Sequence, residues 1–357
     1  MDRTKLDEAF ELTKETTKNG GLIVVRHGYL VYEKYFGKAD RNSNPDMAFC
    51  GKTFSSIACE IMLKEKHDRI PQGLDTKVLT KEYLPEAFPL DDPRKADITF
   101  SQLLAMTAGF HGESTKWGYT NGKEVKLEPI PQDRSLGLDM GAIRYPIWVD
   151  SGGGWSYSSP SPHIASIVLR HIVGMDLKDY IDQKLGKPMH WGSWNYCLYR
   201  GDTTLPHANG AGSIALHATD TMRFGYPLLH NREWEKQQLV PADYGEKISH
   251  PSLYNLHYPF SLEFEVNQTG LVPNAPADAF WKTGAGGFSI YVIPSLDMVI
   301  YKMGGNDKAY DGALTRLPQP ATHDDSRKNW KAVKRIPEAG VPAVLQLVSV
   351  AVIQNKH

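Results

Sequence analysis

Residues 98–109 read Ile-Thr-Phe-Ser-Gln-Leu-Leu-Ala-Met-Thr-Ala-Gly, and this stretch is the most specific fold signal in the chain. Its centre, Ser101–Met106, predicts a short helix. It lies near the start of a long segment, residues 68–274, that is rich in Pro, Gly, Trp and Tyr. A second helix is predicted within that segment at Pro162–Val173, so the middle of the chain is expected to be mainly helical.

Strand signals flank this helical segment on its N-terminal side. Two strand-like runs, Leu22–Arg26 and Leu30–Phe36, are joined by His27-Gly28-Tyr29, which predicts a β-hairpin with glycine in the turn. A helix is predicted from Lys52 to about Lys66, because its apolar residues recur at helical spacing on one face.

Strand signals return on the C-terminal side, at Phe288–Ile293 and Met298–Met303, and a last helix is predicted at Val341–Ile353. This order predicts one sheet assembled from both ends of the chain, with a helical insertion and a cleft between the two parts. We expect a single unit over residues 1–357, in which residues 1–67 and 275–357 form the α/β sheet lobe and residues 68–274 form the helical lobe.

Composition excludes several classes of function. Of 357 residues, 41% are hydrophobic and 23% charged, with a formal net charge of −1 and no long basic run, so nucleic acid is not expected as a partner. The three cysteines, Cys50, Cys59 and Cys197, show no CxxC spacing, and the histidines show no HxxxH or HExxH spacing. We therefore expect no metal, no cofactor and no disulfide framework.

Neither end of the chain looks like a membrane segment. The first twenty residues are charged and lack the apolar core of a signal peptide. Residues 341–353 are apolar but too short to span a bilayer. These patterns predict a cytoplasmic protein without a membrane partner, and they leave its oligomeric state open.

Several strings, taken in order, resemble the family of serine β-lactamases, penicillin-binding proteins and esterases, especially its class C β-lactamase-related members. The stretch 98–109 resembles the family's ITxxxLLxMTSG segment; the other matching strings are Leu22–Gly37, Trp155–Ser158, Asn209–Ser213 with Ala218–Gly225, and Lys282–Phe288. The resemblance implies an α/β (α+β) fold of the β-lactamase/transpeptidase type, with an antiparallel sheet flanked by helices and an inserted, mainly helical lobe. It also implies a small-molecule substrate in the cleft.

The family's first motif is S-x-x-K at the start of a helix, where serine attacks a carbonyl carbon and the lysine accepts its proton. Here the register gives Phe49-Cys50-Gly51-Lys52, so the lysine matches and the nucleophile does not. A benzyl group cannot form an acyl-enzyme, but it can contact a flat or apolar ligand.

Cys50 is the alternative nucleophile, because a helix N-terminus lowers a thiol pKa. It lies only two positions from Lys52, however, and side chains at i and i+2 do not face each other on a helix. A small buried hydrophobe is the competing interpretation of this residue.

The resemblance assigns Tyr157 and Ser159 to the family's Y-x-N or Y-x-S motif, in which the phenol relays protons. It assigns Lys282-Thr283-Gly284 to the K-T-G box on an edge of the sheet, where the lysine binds a substrate carboxylate or tunes the tyrosine and the glycine lets a ligand approach the backbone closely. The amides of Ala285 and Gly286 are candidate oxyanion or ligand contacts. Weaker candidates for the substrate pocket are His111 and Trp155, which also suit structural roles.

Two functions of different classes follow. In the first, Lys52, Tyr157 and Lys282 support acid–base chemistry without an acyl-enzyme, such as isomerisation, cyclisation, elimination or residual hydrolysis; mutual repulsion between the two lysines would lower a lysine pKa. In the second, the protein is a pseudoenzyme that binds a small molecule and has lost catalysis. Lysines buried without a task are costly, which favours the enzyme.

Overall fold

The computed structural model describes residues 1–112, 117–128, 130, 133–196, 207–229, 233–251, 253–310 and 340–352. Cys197 lies outside these residues. Among them the helices are α1 (Arg3–Thr16), α2 (Gly51–Glu65), α3 (Phe100–Leu104), α4 (Gly137–Ile143), α5 (Pro160–Val173), α6 (Leu177–Ile181), α7 (Ala218–Gly225), α8 (Tyr244–Ser249) and α9 (Gly340–Val350).

The strands are β1 (Gly20–Arg26), β2 (Tyr29–Phe36), β3 (Trp117–Thr120), β4 (Lys123–Lys126), β5 (Asn195–Tyr196), β6 (Ile214–Ala215), β7 (Glu233–Trp234), β8 (Gln237–Gln238), β9 (Glu265–Val266), β10 (Phe280–Gly284), β11 (Phe288–Ile293) and β12 (Met298–Met303). Six of them form one antiparallel sheet in the order β2-β1-β12-β11-β10-β9. The first and last parts of the chain meet where β1 pairs with β12, which confirms the antiparallel sheet flanked by helices.

The sheet extends further back along the chain than the predicted lobe boundary. β9 pairs with β10 at Phe280 and Trp281, although its residues 265–266 fall in the range expected for the helical lobe. Two residues that follow an irregular segment carry no period-2 pattern, which is why the sequence does not reveal this strand. In the described part of the insertion, three two-stranded ribbons are also present, β3-β4, β5-β6 and β7-β8.

Two apolar layers cover the two faces of the sheet. On one face, α1 and α9 pack together over residues such as Leu22, Trp281 and Ile300. On the other face lies the larger core, which is shared with α2, α3 and α5 and includes Phe54 and Phe280. α2 is therefore buried on nearly every side, and its first turn is held between the sheet and the helical lobe. In the described part of the chain, no helix is long and apolar enough to cross a membrane.

Candidate active site

A tight turn ahead of α2 presents position 49. Residues Ala48–Cys50 form a single 3₁₀ turn, and Ala48 adopts a left-handed backbone with φ of 50°. Left-handed backbone is uncommon for alanine, so the surroundings must hold it. The Ala48 amide donates to Asp46 Oδ1 at 2.8 Å, and the Met47 amide donates to the Ile214 carbonyl at 2.9 Å. The Phe49 side chain is left half-buried at the surface of the site.

Lys52 lies in the first turn of α2 and is fully buried. Its ammonium donates to Ser159 Oγ at 3.0 Å and to the carbonyl oxygen of Ala211 at 2.8 Å, and it lies 4.7 Å from the centre of the Phe49 ring. The predicted residues Phe49, Lys52 and Ser159 are thus brought together. The Ala211 carbonyl was not predicted, although it belongs to the Asn209–Ser213 string that carries part of the resemblance.

Tyr157 is at the centre of the cluster. Its ring contacts Phe49 edge-on, with the centroids 6.0 Å apart and the planes at 66°. The Lys52 ammonium lies 5.5 Å from the centre of the Tyr157 ring and that of Lys282 lies 4.7 Å from it. Tyr157 and Ser159 directly precede α5, which begins at Pro160, a residue favoured at the first helical position.

Lys282 comes from β10 and is fully buried, with its ammonium also 4.9 Å from the Phe260 ring. It forms an ion pair with Glu263, at 3.7 Å between Nζ and Oε2, and both side chains are 0% exposed. The sequence interpretation contained two lysines that repel each other. The structure adds a carboxylate that opposes this repulsion.

Glu263 is the main residue of the cluster that sequence reasoning missed. It lies 19 positions before Lys282, in a turn just ahead of β9, and its backbone is left-handed with φ of 68°. Burial raises its pKa to about 7, although the charges of Lys282 and Lys52 act in the opposite direction. The string Leu262-Glu-Phe-Glu265, with two glutamates among apolar residues, is the only hint the sequence offers.

Gly284 joins the third motif to the first. A Cβ built on it would overlap the carbonyl oxygen of Met47 and would lie 3.2 Å from Cys50 Sγ. The glycine was predicted to let a ligand approach the backbone. Here it lets the turn that carries Phe49 pack against β10.

The other predicted residues of the third motif have different surroundings. The Thr283 hydroxyl donates to Glu265 Oε1 at 3.2 Å, and strand alternation puts Thr283 on the opposite face of β10 from Lys282. Ala285 and Gly286 form a half-buried turn after β10, with Gly286 at φ of 92°. This turn is held on one side because the Gly305 amide donates to the Gly286 carbonyl at 2.8 Å.

Cys50 is directed at the backbone of β10 and away from open space. It is fully buried, and its thiol donates to the Lys282 carbonyl at 3.5 Å. Burial raises its pKa well above the ordinary value, with the nearby charge of Lys282 opposing only part of that effect. Both features favour a neutral thiol with a packing role over a nucleophile.

Trp155 and His111 are the remaining predicted residues of the site. Trp155 is buried and stacks on Tyr258 at 4.2 Å, and its ring is 5.5 Å from that of Phe260. Tyr157 packs against the apolar cluster to which Trp155 and Phe260 belong. The His111 amide donates to the Pro146 carbonyl at 3.1 Å, and burial lowers the pKa of its imidazole.

Within the described ranges, no group of three or more His, Cys, Asp or Glu side chains is arranged to hold a metal ion. The chemistry available at the site is that of two ammonium groups, a phenol, a hydroxyl and a carboxylate.

Comparison with known proteins places this arrangement in context. The model of the Beta-lactamase family matches residues 11–304. A curated relative named "Putative penicillin-binding protein PbpX", from Bacillus subtilis strain 168, is 24% identical over 250 residues; the match covers 63% of this chain and only 58% of that protein.

Two solved structures share the fold across nearly the whole chain. EstCE1, described as a hydrolase with promiscuous acyltransferase activity, superposes with a TM-score of 0.66 at 14% identity and covers 96% of this chain and 98% of its own. A family VIII carboxylesterase gives a TM-score of 0.62 at 15% identity, covering 96% and 97%. Identities this low support the shared fold and leave the substrate open.

Proposed function

The chain belongs to the β-lactamase family, and we propose that it is a hydrolase-like enzyme of that family that acts on a small molecule without forming an acyl-enzyme at position 49. Tyr157, Lys52 and Lys282 would carry acid–base chemistry in the cleft between the lobes. Isomerisation, cyclisation, elimination and hydrolysis by an activated water are the reaction types that such groups support.

One observation carries this proposal: two ammonium groups lie beside the Tyr157 ring, that of Lys52 at 5.5 Å and that of Lys282 at 4.7 Å from its centre. Negative charge that develops on the phenol oxygen during proton transfer would be stabilised by both cations in a site of low polarity. Tyr157 is half-buried, so it can meet a substrate, whereas both lysines are fully buried and act from behind it.

The contacts of Lys52 also argue for a retained function. A fully buried ammonium is costly unless its protons have partners. Here the Ser159 hydroxyl and the Ala211 carbonyl accept from it. An apolar side chain of similar length would avoid the cost of burying the charge, so its retention favours a chemical role.

A binding protein without catalysis is the second candidate, and the Phe49 ring favours it. That ring lies against both Lys52 and Tyr157, in the position from which a serine would attack. If it excludes the reacting carbonyl from the two groups, the cleft can hold a ligand and leave it unchanged.

Restoring the serine tests whether the proton-transfer groups are competent. The parent protein, Phe49→Ser and the double variant Phe49→Ser/Tyr157→Phe are mixed with a chromogenic ester and a chromogenic β-lactam. We expect no burst from the parent, a burst of about one equivalent per active site from Phe49→Ser, and loss of that burst in the double variant. Phe49→Ser/Tyr119→Phe is the matched control, because the Tyr119 hydroxyl donates to the exposed Glu124 side chain at 3.1 Å in the ribbon β3-β4.

The parent protein is then tested for turnover of its own. It is incubated with a panel of small esters, lactones and amides, and the products are analysed by mass spectrometry beside the variant Tyr157→Phe. Conversion that depends on Tyr157 supports the enzyme. Compounds that raise the melting temperature but are recovered unchanged support the binding protein, and a burst that survives Tyr157→Phe in the serine variant refutes the proton-transfer role.

A further inference from the structure

The Glu263–Lys282 pair lies wholly inside the protein. Both side chains are 0% exposed, and 3.7 Å separates Glu263 Oε2 from Lys282 Nζ. Among the described residues, neither carboxylate oxygen of Glu263 has a hydrogen-bond partner, and neither has the Lys282 ammonium. Buried charged groups normally have their hydrogen bonds satisfied, so this pair stands apart from a structural ion pair.

The backbone at Glu263 is held in an uncommon conformation. Its φ of 68° is in the left-handed region, where glutamate is rare. The Glu263 amide donates to the Leu104 carbonyl at 2.9 Å, and the Ser56 hydroxyl donates to the neighbouring Leu262 carbonyl at 3.0 Å. α3 and α2 therefore determine the turn from two sides. Strained backbone of this kind is often found at functional sites.

Several charged or titratable groups face this carboxylate, each from a different packed element. The positive charges of Lys282 in β10 and Lys52 in α2 favour the ionised form of Glu263, whereas the negative charge of Glu265 in β9 favours its protonated form. Cys59 of α2 and Tyr244 of α8 are also within electrostatic reach, and burial raises the pKa of both, which keeps them neutral. The net charge of the inner cluster therefore depends on Glu263.

We propose that Glu263 is a positioning residue for the site: its carboxylate holds the ammonium of Lys282 against the ring of Tyr157 and sets the net charge that the Tyr157 phenol experiences. Without this carboxylate, the charges of Lys282 and Lys52 would act on the phenol with less opposition. With it, one of the two is neutralised. This role rests on the proposed acid–base function of Tyr157. It adds Glu263 as the residue that controls the charge beside the Tyr157 phenol.

The charge of Glu263 changes close to neutral pH, because burial raises its pKa to about 7. Below that pH the carboxyl is neutral and no longer opposes the charges of Lys282 and Lys52. Above it the carboxylate opposes the charge of Lys282. A variant that lacks the charge should therefore behave like the parent at low pH and differ from it at high pH.

A titration of Tyr157 tests the inference without any substrate. 3-Fluorotyrosine is placed at position 157 and its ionisation is followed by ¹⁹F NMR against pH, in the otherwise unchanged protein and in Glu263→Gln. We expect Glu263→Gln to move the midpoint at least about one pH unit lower, because it removes the negative charge 3.7 Å from the ammonium that lies 4.7 Å from the centre of the Tyr157 ring.

Glu60→Gln is the matched control. Glu60 is also a buried carboxylate with a lysine partner, Lys247, at 3.2 Å. It lies about 12 Å along α2 from Lys52, because each helical residue advances about 1.5 Å. We expect this control to leave the midpoint where it was. An unchanged midpoint in Glu263→Gln, or an equal shift in Glu60→Gln, would overturn the inference.

A pH–rate profile separates this inference from the proposed function. The burst rate of Phe49→Ser is compared with that of Phe49→Ser/Glu263→Gln between pH 5 and 9, values chosen to bracket the pKa of about 7. We expect the two profiles to coincide below the midpoint and to diverge above it. A constant ratio at all pH values would mean that Glu263 has only a structural role. If no variant acylates and the parent converts none of the tested compounds, the proposed function fails, and the ¹⁹F titration still decides the role of Glu263.

Discussion

The contact between the first and third motifs can be tested with one methyl group. In Gly284→Ala the new Cβ would overlap the Met47 carbonyl oxygen, and it would lie 3.2 Å from Cys50 Sγ. A carbon and an oxygen pack at about 3.3 Å, so β10 or the turn at residues 46–50 must move by about 1 Å. Neither partner is a flexible side chain, since one is strand backbone and the other is turn backbone.

The expected loss of stability follows from this overlap. Overpacking a dense core costs about 1–3 kcal/mol and sometimes more, and we expect about 3 kcal/mol here because backbone must shift. Gly174→Ala is the control. Gly174 ends α5 with φ of 74°, and a Cβ built on it meets nothing within 4 Å. Its substitution carries only the left-handed strain, about 1 kcal/mol.

Urea unfolding followed by tryptophan fluorescence gives the free energy of unfolding of both variants. The two values are compared on the condition that the m-values are equal. The same substitutions in the Phe49→Ser background report on the site, because movement of the turn displaces residue 49. We expect Gly284→Ala to lose the acylation burst and Gly174→Ala to keep it. Equal stability losses for the two variants, together with an intact burst in Gly284→Ala, would show that the packing of Met47 on Gly284 does not determine the position of residue 49.

Two further predictions concern the partners of the site. Ser159→Ala removes one acceptor of the Lys52 ammonium and should lower the free energy of unfolding by about 1–2 kcal/mol. Ser159→Asn keeps an acceptor and should recover most of this loss. Equal losses in the two variants would show that this hydrogen bond does not stabilise the protein. Asp139 accepts from His163, His207 and Arg170; burial raises its pKa, but the hydrogen bonds from the two histidines outweigh burial and the pKa is lowered. A depressed carboxyl pKa contributes stability above the unfolded value of 3.8, and this is lost as the pH falls. Asp139→Asn should therefore lower the free energy of unfolding by about 2–3 kcal/mol at neutral pH and by less near pH 3. Urea unfolding of the parent and the variant at both pH values measures this difference. A difference that does not change with pH would contradict the prediction.

Much of the fold was predicted from local patterns. The hairpin, the helix that begins near Lys52 and the strands β11 and β12 agree with the structure to within one or two residues, because their hydrophobic periods of 2 or 3.6 are written in neighbouring residues. The family resemblance is confirmed by the match over residues 11–304. β9 was missed because two residues are too few to show a period.

The inner cluster shows where local pattern stops being informative. Lys52, Tyr157 and Lys282 could be selected by motif, and the structure brings all three together. The direction of Cys50 could not be read from its position, since it depends on packing against the backbone of β10.

The sequence by itself determined that position 49 carries no nucleophile, since a phenylalanine side chain has no group that can attack a carbonyl. It also determined which lysines and which tyrosine remain. Only the tertiary structure decided what surrounds them: the Ala211 carbonyl on Lys52 and the Glu263 carboxylate beside Lys282. These partners are distant in the chain and belong to irregular segments, so their proximity depends on how α2, α3 and the sheet pack. The charge of the site, and with it the chemistry open to Tyr157, is a property of that packing.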